Sequence, residues 1–401
     1  MTPDEIREVL NLHKKWLEGS EQGRQAELTG ADLRRANLRG EDLRKAVFSQ
    51  ADLRGADICD AKLDLANFSK ARLRGARLLR SSLCEADFSE ADLSEARLSM
   101  ADLSGANLNK SDLSGARLRA CTFKGANLRM VEATRADFSS SDLSGADLSD
   151  ADVSGAKLMD VDLSGAKLVG ANLRRALAKG AKFAGCDMTR SRLSGGDFSM
   201  ADLSGANLCG AKLRAADLSL ADLTKADLSG ADLGNANLQK AKLTNVNLTK
   251  AKLKATFLYG ADLAGANLTD ANLIAAEVAA ANLRGAKLTH ANCYTADLSR
   301  SDFREVDARN ADISRTNLRS ANLAGANLSG ADLSRATLTG ANLVGADLNR
   351  ANLDISNLRA ANLSNANLTG ATFVEAGMTF ANLAGANTEG ANFTGAEGLK
   401  Q

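Results

Sequence analysis

Ala101-Asp102-Leu103-Ser104-Gly105 is followed by Ala106-Asn107-Leu108, and the same five-residue pattern runs from Ala26 to about residue 395 without insertion or deletion. Centred on its Leu (position i), the quintet reads small apolar, Asp or Asn, large apolar, then two small or polar residues. From Leu28 to Phe393 there are 74 centres, and 69 of them are Leu, Phe, Ile, Val or Met. Ala at i−2 and Leu at i are two apart, which is the alternation of an extended strand. The two polar residues that follow break the alternation once per quintet and make a corner. A period of five cannot hold one face of a 3.6-residue helix.

A second period sets the size of the coil. Gly105, Gly125, Gly145, Gly165, Gly185 and Gly205 recur every 20 residues, as do Phe48, Phe68 and Phe88, and Arg34, Arg54 and Arg74. Four quintets per coil therefore place residue n over residue n+20. At a strand spacing of ~4.8 Å, about 18 such coils make a rod roughly 90 Å long. No single quintet buries its own apolar face, and stacked neighbours bury it together. Where the centre shrinks at Ala133 and Ala308, Val131 and Val306 restore volume at i−2 of the same quintets. At Ala178 the expected filler is Phe198, one coil along and beside Gly196.

The pattern resembles the A(D/N)LXX repeat of the pentapeptide-repeat family, as in Ala31-Asp32-Leu33, Ala201-Asp202-Leu203 and Ala341-Asn342-Leu343. The resemblance covers roughly 370 of 401 residues. It implies an all-β solenoid, a right-handed quadrilateral parallel β-helix, and says little about task.

Two regions frame the solenoid. Residues 1–20 are expected to form a capping helix and 21–401 the β-helix. Thr2, Pro3 and Glu5 provide a capping box with Pro in the first turn. Ile6, Val9, Leu10, His13, Trp16 and Leu17 share one helical face, and Gly19 stops the helix. This face suits a lid over the first coil. Its polar side mixes acids and bases, which disfavours membrane docking. At the other end Phe373, Met378, Leu383 and Phe393 are expected to form the last coil, with Phe380 pointing out. Such an open apolar end is a pairing hazard, and the family resemblance implies a homodimer through the C-terminal coils.

The chain has 50 basic and 49 acidic residues and a net charge of +1. No apolar run approaches the ~18 residues of a membrane span, and the polar, acidic start does not read as a secretory signal. A cytoplasmic location is expected. Cys121, Cys186 and Cys293 occupy inward positions and Cys59, Cys84 and Cys209 outward ones. None stacks on another at 20-residue spacing and none forms Cys-x-x-Cys, so reduced, non-ligand thiols are expected.

Folding the sequence onto four sides separates its surfaces. The side centred on Leu33, Leu53 and Leu73 carries a basic stripe that includes Arg34, Arg54, Arg74, Arg174, Arg175 and Arg214. Eleven bases face three acids at i+1 and i+2, but nine acids face four bases at i−1, leaving a net +3. This reads as a salt-bridged, solvated face, and without interleaved exposed aromatics it disfavours nucleic acid. The side centred on Leu38, Ile58 and Leu78 has outward Met159, Leu177, Met200, Leu220, Phe257 and Tyr259, a candidate protein-partner patch. The side of Leu43 and Leu63 is nearly bare from Leu103 onward. The fourth side carries Ser and Thr at i+1, including Thr249, Thr269 and Thr289, which β-propensity explains.

Catalysis has little material. His13 lies in the helix and His290 at a corner, in no triad or metal motif, and no cofactor is expected. A non-enzymatic interaction scaffold is the leading expectation. The quinolone-resistance members of the family imply an alternative, modulation of DNA gyrase or topoisomerase by DNA mimicry, which requires a strongly acidic surface and is disfavoured by the balanced charge. A secreted bacterial effector is a further alternative.

Overall fold

The computed structural model describes residues 1–398. It contains one helix, α1 (Pro3–Leu17), followed by parallel β-bridges that each join a residue to one 20 positions on. The chain divides into two compact units, Met1–Asp202 and Leu203–Gln401, so α1 groups with the first half of the repeats. In the first unit the bridges run from Glu27↔Val47 to Lys182↔Asp202, and in the second from Asn207↔Asp227 to Gly377↔Glu397. The bridging residue is always i−1, the Asp/Asn position.

The residues around Leu103 show why the motif has this chemistry. Ala101 donates its N–H back to the Leu98 carbonyl (2.9 Å), Asp102 to Ser81 (3.0 Å), Leu103 to Thr122 (2.7 Å) and Gly105 to Lys124 (2.9 Å), and Ala106 repeats the Ala101 bond one quintet on by donating to Leu103 (3.0 Å). That leaves the N–H of Ser104, and it donates to the Asp102 carboxylate at 3.0 Å. All five backbone donors of the quintet are thus satisfied. The Asp or Asn at i−1 is the acceptor for the one donor that no backbone carbonyl receives, an Asx-type turn. The Ala106-to-Leu103 bond closes a four-residue turn whose third residue has positive φ (Gly105, +68°), the pattern of a type II turn. Many non-glycine residues hold the same conformation, among them Arg135 at +57° and Met200 at +59°.

Residues i−2 and i point inward. The Leu and Phe centres are fully buried through most of both units, with Ala beside them. The Phe48, Phe68 and Phe88 rings lie face to face, 4.7 Å apart and within 2° of parallel, so n does stack on n+20. Ala133, Val131, Ala308 and Val306 are all buried. Phe198 lies so close to Gly196 that a Cβ there would be 2.6 Å from its ring. Side chains also form ladders along the bridges: Asn127 donates to Asn107, and Asn107 to Asp87, each at 2.9 Å.

Helix α1 has both expected ends. Thr2 and Glu5 form a reciprocal capping box. At the C-terminus Gly19 donates to Trp16 and Ser20 to Lys15, each at 3.0 Å, a Schellman arrangement with Gly19 at φ +77°. The chain then turns back against the helix. Arg24 donates to the Leu12 carbonyl, and Gly23 lies where a Cβ would overlap the backbone of Trp16.

Three expectations need correction. Cys59 is buried although it occupies an outward position, because its short side chain sits between Arg39 and Leu79 in the same column of adjacent coils. Thr249 and Thr269 lie at turn positions, not strand positions. Their hydroxyls donate to Asn247 and Asn267 at 2.6 and 2.7 Å, so local turn bonding accounts for them, not β-propensity. Met378 is not at the open end. It is fully buried, and its N–H donates to the Glu397 carbonyl.

Candidate interaction surfaces

The apolar face is built by outward residues, Met159 and Met200 at corners and Leu177 at a bridged i−1 position. In the first unit Met159 is 38%, Leu177 43% and Met200 56% exposed, and Met100, in the same set of columns, is 65% exposed. In the second unit Leu220 and Tyr259 are half exposed on the corresponding columns. Phe257, bridged to Asn237 and Glu277, is only partly exposed. Other exposed apolar groups escaped the column reading because they stand singly on other sides, such as Leu65, Met130 and Ile355.

The basic stripe divides in two. Arg34 is bonded to Asp32 at 2.6 Å and Arg54 to Asp52 at 2.6 Å, and Arg74 reaches Glu95 at 2.8 Å. Asp52 is nearly buried and also meets Arg72 at 3.3 Å. The Arg54 hydrogen bonds hold its carboxyl below the usual range against the opposing effect of burial. In the second unit Arg214 lies 3.5 Å from Asp232. Arg174 and Arg175 differ: among the described residues neither has a carboxylate within ion-pair distance. With Arg135 they line a groove of about 870 Å³ in the first unit.

At the helix, His13 is fully buried while Ile6, Leu10, Trp16 and Leu17 are partly exposed. The Ala26 N–H donates to His13 Nδ1 at 3.0 Å, and Nε2 has no partner. Burial lowers the His13 pKa below its ordinary value. At the far end Leu383 and Phe393 are partly exposed, Phe393 stacks on Phe373 at 4.8 Å, and Phe380 is 74% exposed. The thiols are poorly suited to chemistry. Burial pushes Cys121, Cys186 and Cys293 up to about 12 and the half-buried Cys84 up to about 11. His290 is exposed at its corner, three residues before the buried Cys293. Among the described residues no helix is long and apolar enough to cross a membrane.

Parallel bridges at a 20-residue offset, apolar centres every five residues and an Asx acceptor in each corner define a β-solenoid of five-residue units. The chain belongs to the pentapeptide-repeat family: a family model described as "Pentapeptide repeats (8 copies)" matches it in ten segments from 26–64 to 356–395. Among solved structures, it is similar to HetL, a pentapeptide-repeat protein involved in heterocyst differentiation regulation from the cyanobacterium Nostoc sp. The identity is 33% over 61% of this chain and 91% of that one, with a TM-score of 0.20. A pentapeptide-repeat protein of the Arabidopsis thaliana thylakoid lumen is 39% identical over 25% of this chain and 68% of its own, with a TM-score of 0.23. QnrB1, a plasmid-mediated fluoroquinolone resistance protein, is 24% identical over 54% of this chain and 90% of its own, with a TM-score of 0.26. No curated protein sequence matches.

Proposed function

We infer that the chain is a non-enzymatic scaffold that presents flat faces of a rigid solenoid to a protein partner in the cytoplasm. In this reading four quintets close each coil into a right-handed quadrilateral, about 18 coils form the β-helix, and α1 is the lid of the first coil. The observation that carries it is the exposed apolar set on one side, represented in the first unit by Met159, Leu177 and Met200. Large apolar side chains held out on successive coils are the composition of a contact surface, and Met adapts its shape to a partner. The raised pKa values of Cys121, Cys186 and Cys293 fit the same reading. A second copy of this chain is the proposed cover for the C-terminal coil.

The test is a comparative pull-down from native extract with the full chain and with Leu177→Asp plus Met200→Asp. Both side chains project outward, so the variant keeps its β signal in circular dichroism, and the recovered partner should be lost. Unchanged recovery would remove the patch from consideration. A gyrase supercoiling assay run beside it examines the DNA-mimic alternative. With 50 basic and 49 acidic residues, no inhibition is expected at equimolar protein.

A further inference from the structure

We propose that the groove between Arg135 and Arg175 is an anion site for a linear di- or triphosphate group. Its walls are three guanidiniums, Arg135, Arg174 and Arg175, and its lining also includes Thr134, Asn172 and Ser154. The concavity has a local cause. Position i+2 alternates through the coils as Arg135, Gly155, Arg175 and Gly195. A Cβ at Gly155 would lie 3.6 Å from Cγ of Arg135, and one at Gly195 3.8 Å from Cγ of Arg175. Each arginine stem therefore leans over a residue that has no side chain, and a notch opens between them. Arg135 and Arg175 are two coils apart, ~10 Å at the strand spacing, a span that their flexible side chains close around a short phosphate chain.

The charge in this groove is not neutralised from within. The nearest carboxylate by register, Asp152, is the counterpart of Asp52, which carries Arg54 and Arg72. Here the i+1 residue is Ser instead of Arg, and the carboxylate is taken up by the Ser154 N–H at 2.9 Å and the Asn172 amide at 3.0 Å. Across the corner, Arg135 also borders a second groove with Arg117, Arg119 and Lys157, where Asp137 accepts from Ser139. Glu132 is the other acid of this region. It is exposed and has no ion pair among the described residues. Adjacent unpaired guanidiniums repel one another, and an oxyanion relieves that repulsion through forked, charge-assisted bonds. No aromatic residue lines the groove, so nothing there would stack a base. The phosphate chain, not a nucleoside, is what it can recognise. This inference does not rest on the scaffold reading.

The test is isothermal titration of the full chain with sodium tripolyphosphate at low ionic strength, with orthophosphate, ATP and a short DNA duplex as parallel titrants. Tripolyphosphate and ATP should bind alike and more tightly than orthophosphate. Arg174→Gln with Arg175→Gln should weaken them at least tenfold, whereas Arg34→Gln with Arg54→Gln, which removes paired arginines of the same stripe, should leave them unchanged. All four substitutions are outward and circular dichroism confirms the fold of each variant. No heat with tripolyphosphate, equal weakening in both variants, ATP binding without tripolyphosphate binding, or tighter binding of the duplex would each overturn the assignment.

Discussion

Mild acid should loosen α1 from the segment at Ala26 that His13 holds, and His13 is the group through which acid acts. The ring is fully buried. A backbone N–H can only donate, so the contact from Ala26 makes Nδ1 the bare nitrogen and places the proton on Nε2. A second proton would charge a ring shielded from water and set a donor against the Ala26 donor. Burial lowers the pKa below the ordinary 6.5. The Asp42 carboxylate and the nearby Arg44 backbone oppose that shift, and the charge of Arg44 adds to it. Because the docked state favours the neutral ring, its contribution is complete above 6.5 and is lost as pH falls from there through the docked-state pKa. Within that window a one-proton difference changes stability by ~1.4 kcal/mol per pH unit, about tenfold in the released fraction. The single tryptophan reports the event, since Trp16 stacks on His13 at 5.5 Å. Between about pH 7.5 and pH 5.5, across the ordinary histidine range, Trp16 emission should shift to the red and amides of residues 3–17 should exchange faster while the β signal persists. His13→Leu strands the Ala26 N–H, at ~1–3 kcal/mol, but also removes the unpartnered Nε2–H, at a similar cost. The variant should therefore stay docked and lose the acid response. An invariant Trp16 spectrum, or the same midpoint in His13→Leu, would refute this account.

Three further outcomes follow from packing. Ser111 is buried with an unpartnered hydroxyl at a position that is usually Ala, so Ser111→Ala should slow local hydrogen exchange, stabilising by ~1 kcal/mol. Ser141→Ala is the contrast: that hydroxyl donates to Leu118 and accepts from Cys121, and exchange near Cys121 should quicken. Gly196→Ala places a methyl 2.6 Å from the Phe198 ring and 3.2 Å from two carbonyl oxygens, and overpacking of this kind costs ~1–3 kcal/mol, measurable as a lower urea midpoint. If a second copy covers the C-terminal coil, light scattering should give a dimer mass that Phe393→Glu with Leu383→Glu reduces to the monomer. A monomer mass for the unaltered chain would end that proposal.

Periodicity alone exposed the stacking of n on n+20, because Phe48, Phe68 and Phe88, the glycines from Gly105 to Gly205, and Arg34, Arg54 and Arg74 all recur at that spacing. The ends of α1 were equally plain, since Thr2, Glu5 and Gly19 act through local backbone bonds. What stayed hidden depends on rotamers and on neighbours one coil away. Column composition suggested that all the stripe arginines were paired. Yet Asp152 turns to Ser154 and Asn172 while Asp52 turns to Arg54, and a charge count cannot separate the two. Cys59 was misplaced because an outward position becomes a sheltered one when longer side chains stand above and below it. Met378 was misplaced because the end of the repeat pattern and the last bridged residue, Glu397, do not coincide.

The satisfaction of all five backbone donors in a quintet, described above around Leu103, restricts how such a chain can change length. Loss of one residue would put leucines outside and strand donors in every later corner. Loss of five keeps each Asx turn and the apolar centres but hands every following surface column to the neighbouring side, so the arginine notch and the methionine face would be dealt to new walls. Only gain or loss of 20 leaves both interior and exterior in place. A lineage of these proteins can therefore lengthen by whole coils, or reshuffle its exterior in quarter-turn steps while the interior is untouched.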